Sequence, residues 1–171
     1  WHGVFNAFFT FAETPLWDSA NLITELTWNH WSDVTQGAAV FKGRDNYVVL
    51  GPAGTPVTPA DKVTKDFYGL AINFTPTKYQ VFPGADFSMP ISYSQGISGN
   101  SAVLLGGNED AGSYSVGVAM DLYSKYRFDL KYVDFLGDTT TGPTAAITSS
   151  GGANSLLTDR GFVVFTFKTT L

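Results

Sequence analysis

The stretch that decides the fold is Thr158-Asp-Arg-Gly-Phe-Val-Val-Phe-Thr-Phe-Lys-Thr-Thr-Leu171. In an extended chain, alternate side chains point to opposite faces. Val163, Phe165, Phe167, Thr169 and Leu171 then share one face. Arg160, Phe162, Val164, Thr166, Lys168 and Thr170 share the other. The first face is apolar almost throughout, and the second is mostly polar and basic. A soluble domain seldom closes on such a strand with no polar tail after it. The last strand of a membrane β-barrel has this pattern, with an apolar outside and a polar inside. The reading predicts that the chain is part of such a barrel.

Composition agrees with that expectation. The chain has 171 residues, enough for one domain, and only 15% are charged although 44% are hydrophobic. Globular domains usually carry about a quarter charged residues. The aromatics, 14 Phe, 8 Tyr and 4 Trp, suit a surface that meets something other than water. A net charge of −5 argues against nucleic acid, which favours basic stripes. The absence of cysteine removes disulfides, thiolate metal sites and cysteine nucleophiles. No run approaches the 18 apolar residues of a transmembrane helix. The chain starts at Trp1 inside a strand-like segment, so a signal peptide is expected to have been lost upstream.

Working back from the last strand, period two recurs in segments of about ten residues, the span of a bilayer-crossing strand. The segments are 1–12, 21–31, 67–75, 79–93, 113–122 and the run from Arg127. In 113–122, Tyr114, Val116, Val118, Met120 and Leu122 oppose Ser113, Ser115, Gly117, Ala119 and Asp121. Turns are expected at Glu13–Ser19, at Thr75-Pro-Thr-Lys78 and around Tyr123–Tyr126. Pro83 and Pro90 are expected to interrupt the ladder of the fourth segment. Long loops are expected at 32–65, with a short strand at Asn46–Leu50, at 94–111 and at 137–157. Connections thus alternate short and long, as barrel turns do on the two sides of an outer membrane. Aromatics at strand ends (Trp28, Trp31, Tyr68, Tyr79, Tyr93, Tyr114, Tyr123, Tyr126) would form interfacial girdles. The fold class expected is all-β: an antiparallel transmembrane β-barrel of the outer-membrane type. Residues 1–171 supply about seven strands, the C-terminal part of a larger barrel. Seven is odd, and open sheet edges are not tolerated in hydrocarbon.

Several runs carry a resemblance. They are Asp61-Lys-Val-Thr-Lys-Asp-Phe-Tyr-Gly-Leu-Ala-Ile-Asn-Phe-Thr-Pro-Thr77, Val81-Phe-Pro-Gly-Ala-Asp-Phe-Ser-Met-Pro-Ile-Ser-Tyr-Ser-Gln-Gly96, Lys125-Tyr-Arg-Phe-Asp-Leu-Lys-Tyr-Val-Asp-Phe135 and the terminal Asp159–Thr170. Together they resemble the C-terminal third of a proteobacterial envelope family catalogued as domain of unknown function 1302. The resemblance implies a longer protein with a signal peptide, folded as an outer-membrane barrel. It also implies passage or export of small hydrophobic compounds, alongside a periplasmic carrier and an inner-membrane pump. Outer-membrane lipid, lipopolysaccharide and the barrel-assembly machinery are the other partners expected. No functional residues come with the resemblance.

The chemistry candidates are charges on the polar faces: Glu25, Asp86, Asp121, Arg127, Asp129, Lys131, Arg160 and Lys168. They line a pore and set its selectivity, or they knit strands by ion pairs, with Arg127 and Lys131 near Asp121. Cross-strand opposite charges contribute roughly 0.2–1 kcal/mol each. His2 and His30 lie in no hydrolase motif, and Gly96-Ile-Ser-Gly99 is not a nucleophile elbow. Asn108-Glu-Asp110 matches no calcium loop, and two histidines without cysteine do not make a zinc site. Glu109, Asp110, Asp134 and Asp138 are loop carboxylates of the kind a glycosidase pair uses, without its signature. The expectation is no enzyme, no cofactor and no metal. The competing readings are a soluble β-sandwich that binds carbohydrate on exposed aromatics, and a structural or adhesive barrel.

Overall fold

The structure is a computed structural model and describes residues 1–38, 41, 62–103, 107–141, 147–150 and 154–170. The short strand expected at Asn46–Leu50 and residue Leu171 lie outside the described residues. In chain order the strands are β1 His2–Phe11, β2 Ser19–His30, β3 Asp66–Phe82, β4 Ala85–Ser88, β5 Ile91–Ser98, β6 Gly112–Leu122, β7 Tyr126–Leu136, β8 Thr139–Thr141, β9 Ile147–Ser150 and β10 Phe162–Thr169. One turn of 3-10 helix, Asn154–Leu157, precedes β10. The chain is all-β. Eight strands form one antiparallel sheet in the order β1-β2-β3-β4-β6-β7-β10, with β5 also between β3 and β6. β4 and β5 together make one column, so the sheet has seven columns. β8 and β9 form a separate hairpin within the last long connection.

The middle of the sheet corrects one expectation. Thr75-Pro-Thr-Lys78 is not a turn. It lies inside β3, because β2 continues opposite it and pairs Ser19 with Thr77 and Ala20 with Pro76. Pro76 lacks an N–H but still accepts the N–H of Met89 at 3.0 Å. The chain reverses at Pro83-Gly84 instead, where Phe82 faces Ala85. Gly84 has φ +81°, which suits the second central position of a type II turn with proline first. Pro83 therefore sits in the turn rather than breaking the ladder, whereas Pro90 does separate β4 from β5. β5 also runs on to Ser98, so the following loop is shorter than expected. Alanine at Gly84 would be strained and would meet the Tyr123 ring. Gly84→Ala is expected to lower stability by about 1–3 kcal/mol, read by urea titration of the folded protein.

Directly opposed residues share a face, so the register fixes both faces of the sheet. One face carries Phe5 with Leu26 and Leu70, and Phe9 with Leu22 and Phe74. It continues through Ile72, Tyr93 and Tyr114, then Val118, Leu130 and Phe165, then Met120, Phe128 and Phe167. Every column contributes apolar side chains to it. The other face carries Asn6, Glu25 and Ala71, then Asn73, Ser92 and Ser115, then Asp121, Arg127 and Lys168.

The apolar face is uncovered. Phe5 is 63% exposed, Leu130 47% and Phe165 64%. Among the described residues the only buried hydrophobic side chains larger than alanine are Val63 and Phe67, at one rim. Burying a Leu or Phe contributes about 1.5–3 kcal/mol. A sheet that leaves this many in water forgoes the main source of folding free energy. Connections 12–18, 83–84 and 123–125 lie at one rim, and 31–65, 99–111 and 137–161 leave and rejoin the sheet at the other, so the expected alternation of short and long holds.

Candidate functional site

The charged residues of the polar face gather near the short-connection rim. Asp86 on β4 faces Asp121 on β6, Asp121 faces Arg127 on β7, and Arg127 faces Lys168 on β10. One row across four columns therefore reads acid, acid, base, base. The next row places Asp129 between Ala119 and Thr166, and the one after places Lys131 between Gly117 and Val164. Small residues at Ala119 and Gly117 leave room for the longer side chains beside them.

Arg127 organises this cluster. Its Nη1 donates to Asp121 Oδ2 at 2.6 Å. Its Nε and Nη2 donate to Asp129 Oδ2 and Oδ1 at 3.0 and 3.1 Å, a two-pronged contact. The guanidinium fork matches a carboxylate in this way. All three side chains are half-exposed, so each pair contributes at most about 1 kcal/mol. Asp86 stands in the same row without an ion pair among the described residues. Its Oδ1 accepts the backbone N–H of Gln80 at 2.9 Å. Beside this row lies an open groove of about 230 Å³. Thr75, Thr77 and Ser88 line it together with Asp86, Asp121 and Arg127.

The remaining candidates are dispersed. Glu25 lies on the polar face four columns from Arg127, in the row of Asn6 and Ala71. Glu25, Lys131 and Lys168 have no ion-pair partner among the described residues. Arg160 precedes β10, donates its backbone N–H to the Leu157 carbonyl, and lies 3.5 Å from its neighbour Asp159. The expected pairing of Arg127 with Asp121 is present. The bidentate contact to Asp129 was not anticipated, although the i, i+2 spacing on one strand face was a signal for it.

The opposite face carries polar aromatics at the rims. Near the long connections, Trp28 Nε1 donates to Asp66 Oδ1 at 3.1 Å, and His30 Nδ1 lies 2.8 Å from the same oxygen. The Trp28 and His30 rings stack with centroids 6.1 Å apart. Tyr114 and Tyr132 both donate to Asp134 Oδ2, at 3.1 and 2.8 Å. Tyr93 donates its hydroxyl to Gln95. At the short-connection rim, Trp17 donates to the Ala12 carbonyl at 3.2 Å, and Lys125 lies 5.6 Å from the Tyr126 ring centroid. Asp18 accepts from Lys78 Nζ at 2.6 Å and from the Tyr79 N–H at 2.7 Å. The Lys78 bond, then the Tyr79 bond, hold the Asp18 carboxyl below its ordinary value. That tie is present at neutral pH and is lost as pH falls through the depressed value.

A model of the family described as a protein of unknown function, DUF1302, matches residues 1–171. The chain belongs to the DUF1302 family. No match was found among curated proteins or among solved structures. For this DUF1302 chain the functional reading therefore rests on the two faces of its sheet. Asp134 is a shared acceptor for two tyrosines, and Glu109 accepts the Gly99 N–H at 2.6 Å. Among the described residues no group of three or more His, Asp or Glu is placed to hold a metal.

Proposed function

We propose that the seven-column sheet is one wall of an outer-membrane β-barrel through which small hydrophobic molecules pass without covalent chemistry. One observation carries this reading. Every column puts exposed apolar side chains on the same face, and hydrogen-bonded Trp, Tyr and His residues border that face at its rims. Lipid is the solvent that such a face fits, and interfacial belts are where amphipathic rings sit. The eleven residues of β7, tilted by ~40°, rise about 25 Å, the height of a hydrocarbon band.

The strand directions add a constraint. β1 leads into a short connection and β10 follows a long one, so the two edges run the same way. Antiparallel closure then needs an odd number of further strands, and the complete barrel has an even number. The inner face is mixed: Val4 and Phe8 on β1, Ile23 on β2, and Phe162 and Val164 on β10 interrupt its polar lining. That mixture suits passengers that are themselves apolar. Outer-membrane lipid, lipopolysaccharide and the barrel-assembly machinery are the partners such a placement implies, and the family resemblance adds a periplasmic carrier and an inner-membrane pump. A carbohydrate-binding sandwich would need a second layer over Phe5, Leu130 and Phe165.

The test is extraction. The protein is expected to leave membranes only with detergent and to give a heat-modifiable band on a gel. A monodisperse protein in plain buffer would overturn the proposal.

A further inference from the structure

By register, Phe67 belongs to the polar face. It stands opposite Asn29, in the series of Gly69 and Ala71. Yet it is only 5% exposed. Carbon positions built on Gly69 and Gly96 lie 3.2 and 3.0 Å from its ring, and one on Gly107 would overlap the ring. A methyl group at Gly96 would also overlap the Asn108 carbonyl. The backbone at Gly107–Asn108 therefore crosses over the polar face, with the Phe67 ring held between it and the sheet.

This crossing is fastened at several points. Asn100 is 4% exposed. Its backbone N–H donates to Thr64 Oγ1 at 2.7 Å, and its Nδ2 donates to the Lys62 carbonyl at 2.7 Å. Its carbonyl accepts the Thr64 N–H, and its Oδ1 accepts the Glu109 N–H, both at 3.0 Å. Glu109 in turn accepts the Gly99 N–H. Gly96 exchanges hydrogen bonds of 2.9 Å with Ala111 and Asp110. Connections normally run over the outside of a protein with their polar groups in water. This one folds inward and buries an aromatic ring to do so.

We propose that Gly99–Ser101 and Gly107–Asp110, seated on Phe67, form a fixed ledge that narrows the path at the long-connection rim. Asn100 is the residue that holds it there. The ledge sets the size limit of what passes. This proposal rests on the barrel reading. Side-chain bonds from Asn100, Thr64 and Glu109 to the main chain hold the ledge beside a few main-chain bonds, so loss of the Asn100 side chain frees it.

The experiment uses the full-length protein in vesicles of phosphatidylethanolamine and phosphatidylglycerol. Osmotic swelling is measured with neutral sugars of increasing size, and amide exchange is followed at Thr64, Gly99, Asn100 and Glu109. Wild type is expected to show slow exchange at these amides and a sharp size limit. Asn100→Ala is expected to speed exchange there and raise swelling several-fold for sugars at the limit. Glu109→Ala, which removes one fastening, moves both readouts the same way by less, and it serves if Asn100→Ala lacks the heat-modifiable band. Fast exchange at these amides in wild type overturns the ledge whatever the swelling shows. Slow exchange with an unchanged size limit in the variants overturns its role as the constriction and leaves the barrel reading standing. Vesicles impermeable to every sugar, in wild type and variants alike, overturn the ledge as the size limit of an open path and leave the passage of apolar molecules standing.

Discussion

Leu130→Arg is expected to destabilise the membrane-inserted protein by about 2–4 kcal/mol, while Thr166→Arg leaves it nearly unchanged. Leu130 lies mid-strand on the apolar face, between Val118 and Phe165. An arginine on the lipid side of a barrel at the bilayer midplane costs about that much, because the guanidinium leaves water without a partner. Thr166 is one residue from Phe165 on the opposite face and stands across from Asp129. A positive charge there meets polar lining and an existing carboxylate. Urea titration of protein folded into lipid vesicles reads both values. The two sites lie on neighbouring strands, so general fragility of that edge would lower both alike. In a soluble sheet with Leu130 at an exposed surface, the same arginine changes stability by no more than about 0.5 kcal/mol. Equal, small effects at the two sites would therefore remove lipid from the account.

The alternation behind this contrast was legible in the chain. Phe128, Leu130 and Tyr132 against Arg127, Asp129 and Lys131 already defines two faces, because strand periodicity is local. Local signals were also enough for Pro90 and for the turn before Tyr126. Pro83-Gly84 carries a turn signal, but Thr75-Pro-Thr-Lys78 is a competing proline signal, and the sequence reading puts the turn there and takes Pro83 as a break in the ladder. That competition is resolved by β2, which reaches Ser19 and keeps Pro76 inside a strand. A proline whose carbonyl still bonds across the sheet does not end a strand. What stayed hidden depends on distant residues. Phe67 needs Gly69, Gly96 and Gly107 to be buried, and Tyr114 and Tyr132 meet at Asp134 only once β6 and β7 are in register. The charges of the polar face were visible singly. Their ordering into one row came from three registers that no local pattern states.

That row sets the second large expectation. Arg127→Ala is expected to make passage of ions through the reconstituted protein markedly more selective for cations. Arg127 is the common partner of Asp121 and Asp129, and Asp86 stands in the same row. Its removal changes the local sum of Asp86, Asp121, Asp129, Arg127, Lys131 and Lys168 from balanced to one net negative charge. The carboxylates closest to the groove are then uncompensated. A wall of low dielectric focuses such a field along the path, so the reversal potential in a KCl gradient moves toward that of potassium. Stability falls by only about 1 kcal/mol, because the pairs are half-exposed and screened. Arg127→Lys keeps the charge and loses the fork. It is expected to restore the reversal potential while leaving part of the stability loss in place. A purely knitting role predicts the opposite division, with both variants destabilised and the reversal potential unmoved. The pair of variants therefore separates a charge that faces the path from one that only ties β6 to β7.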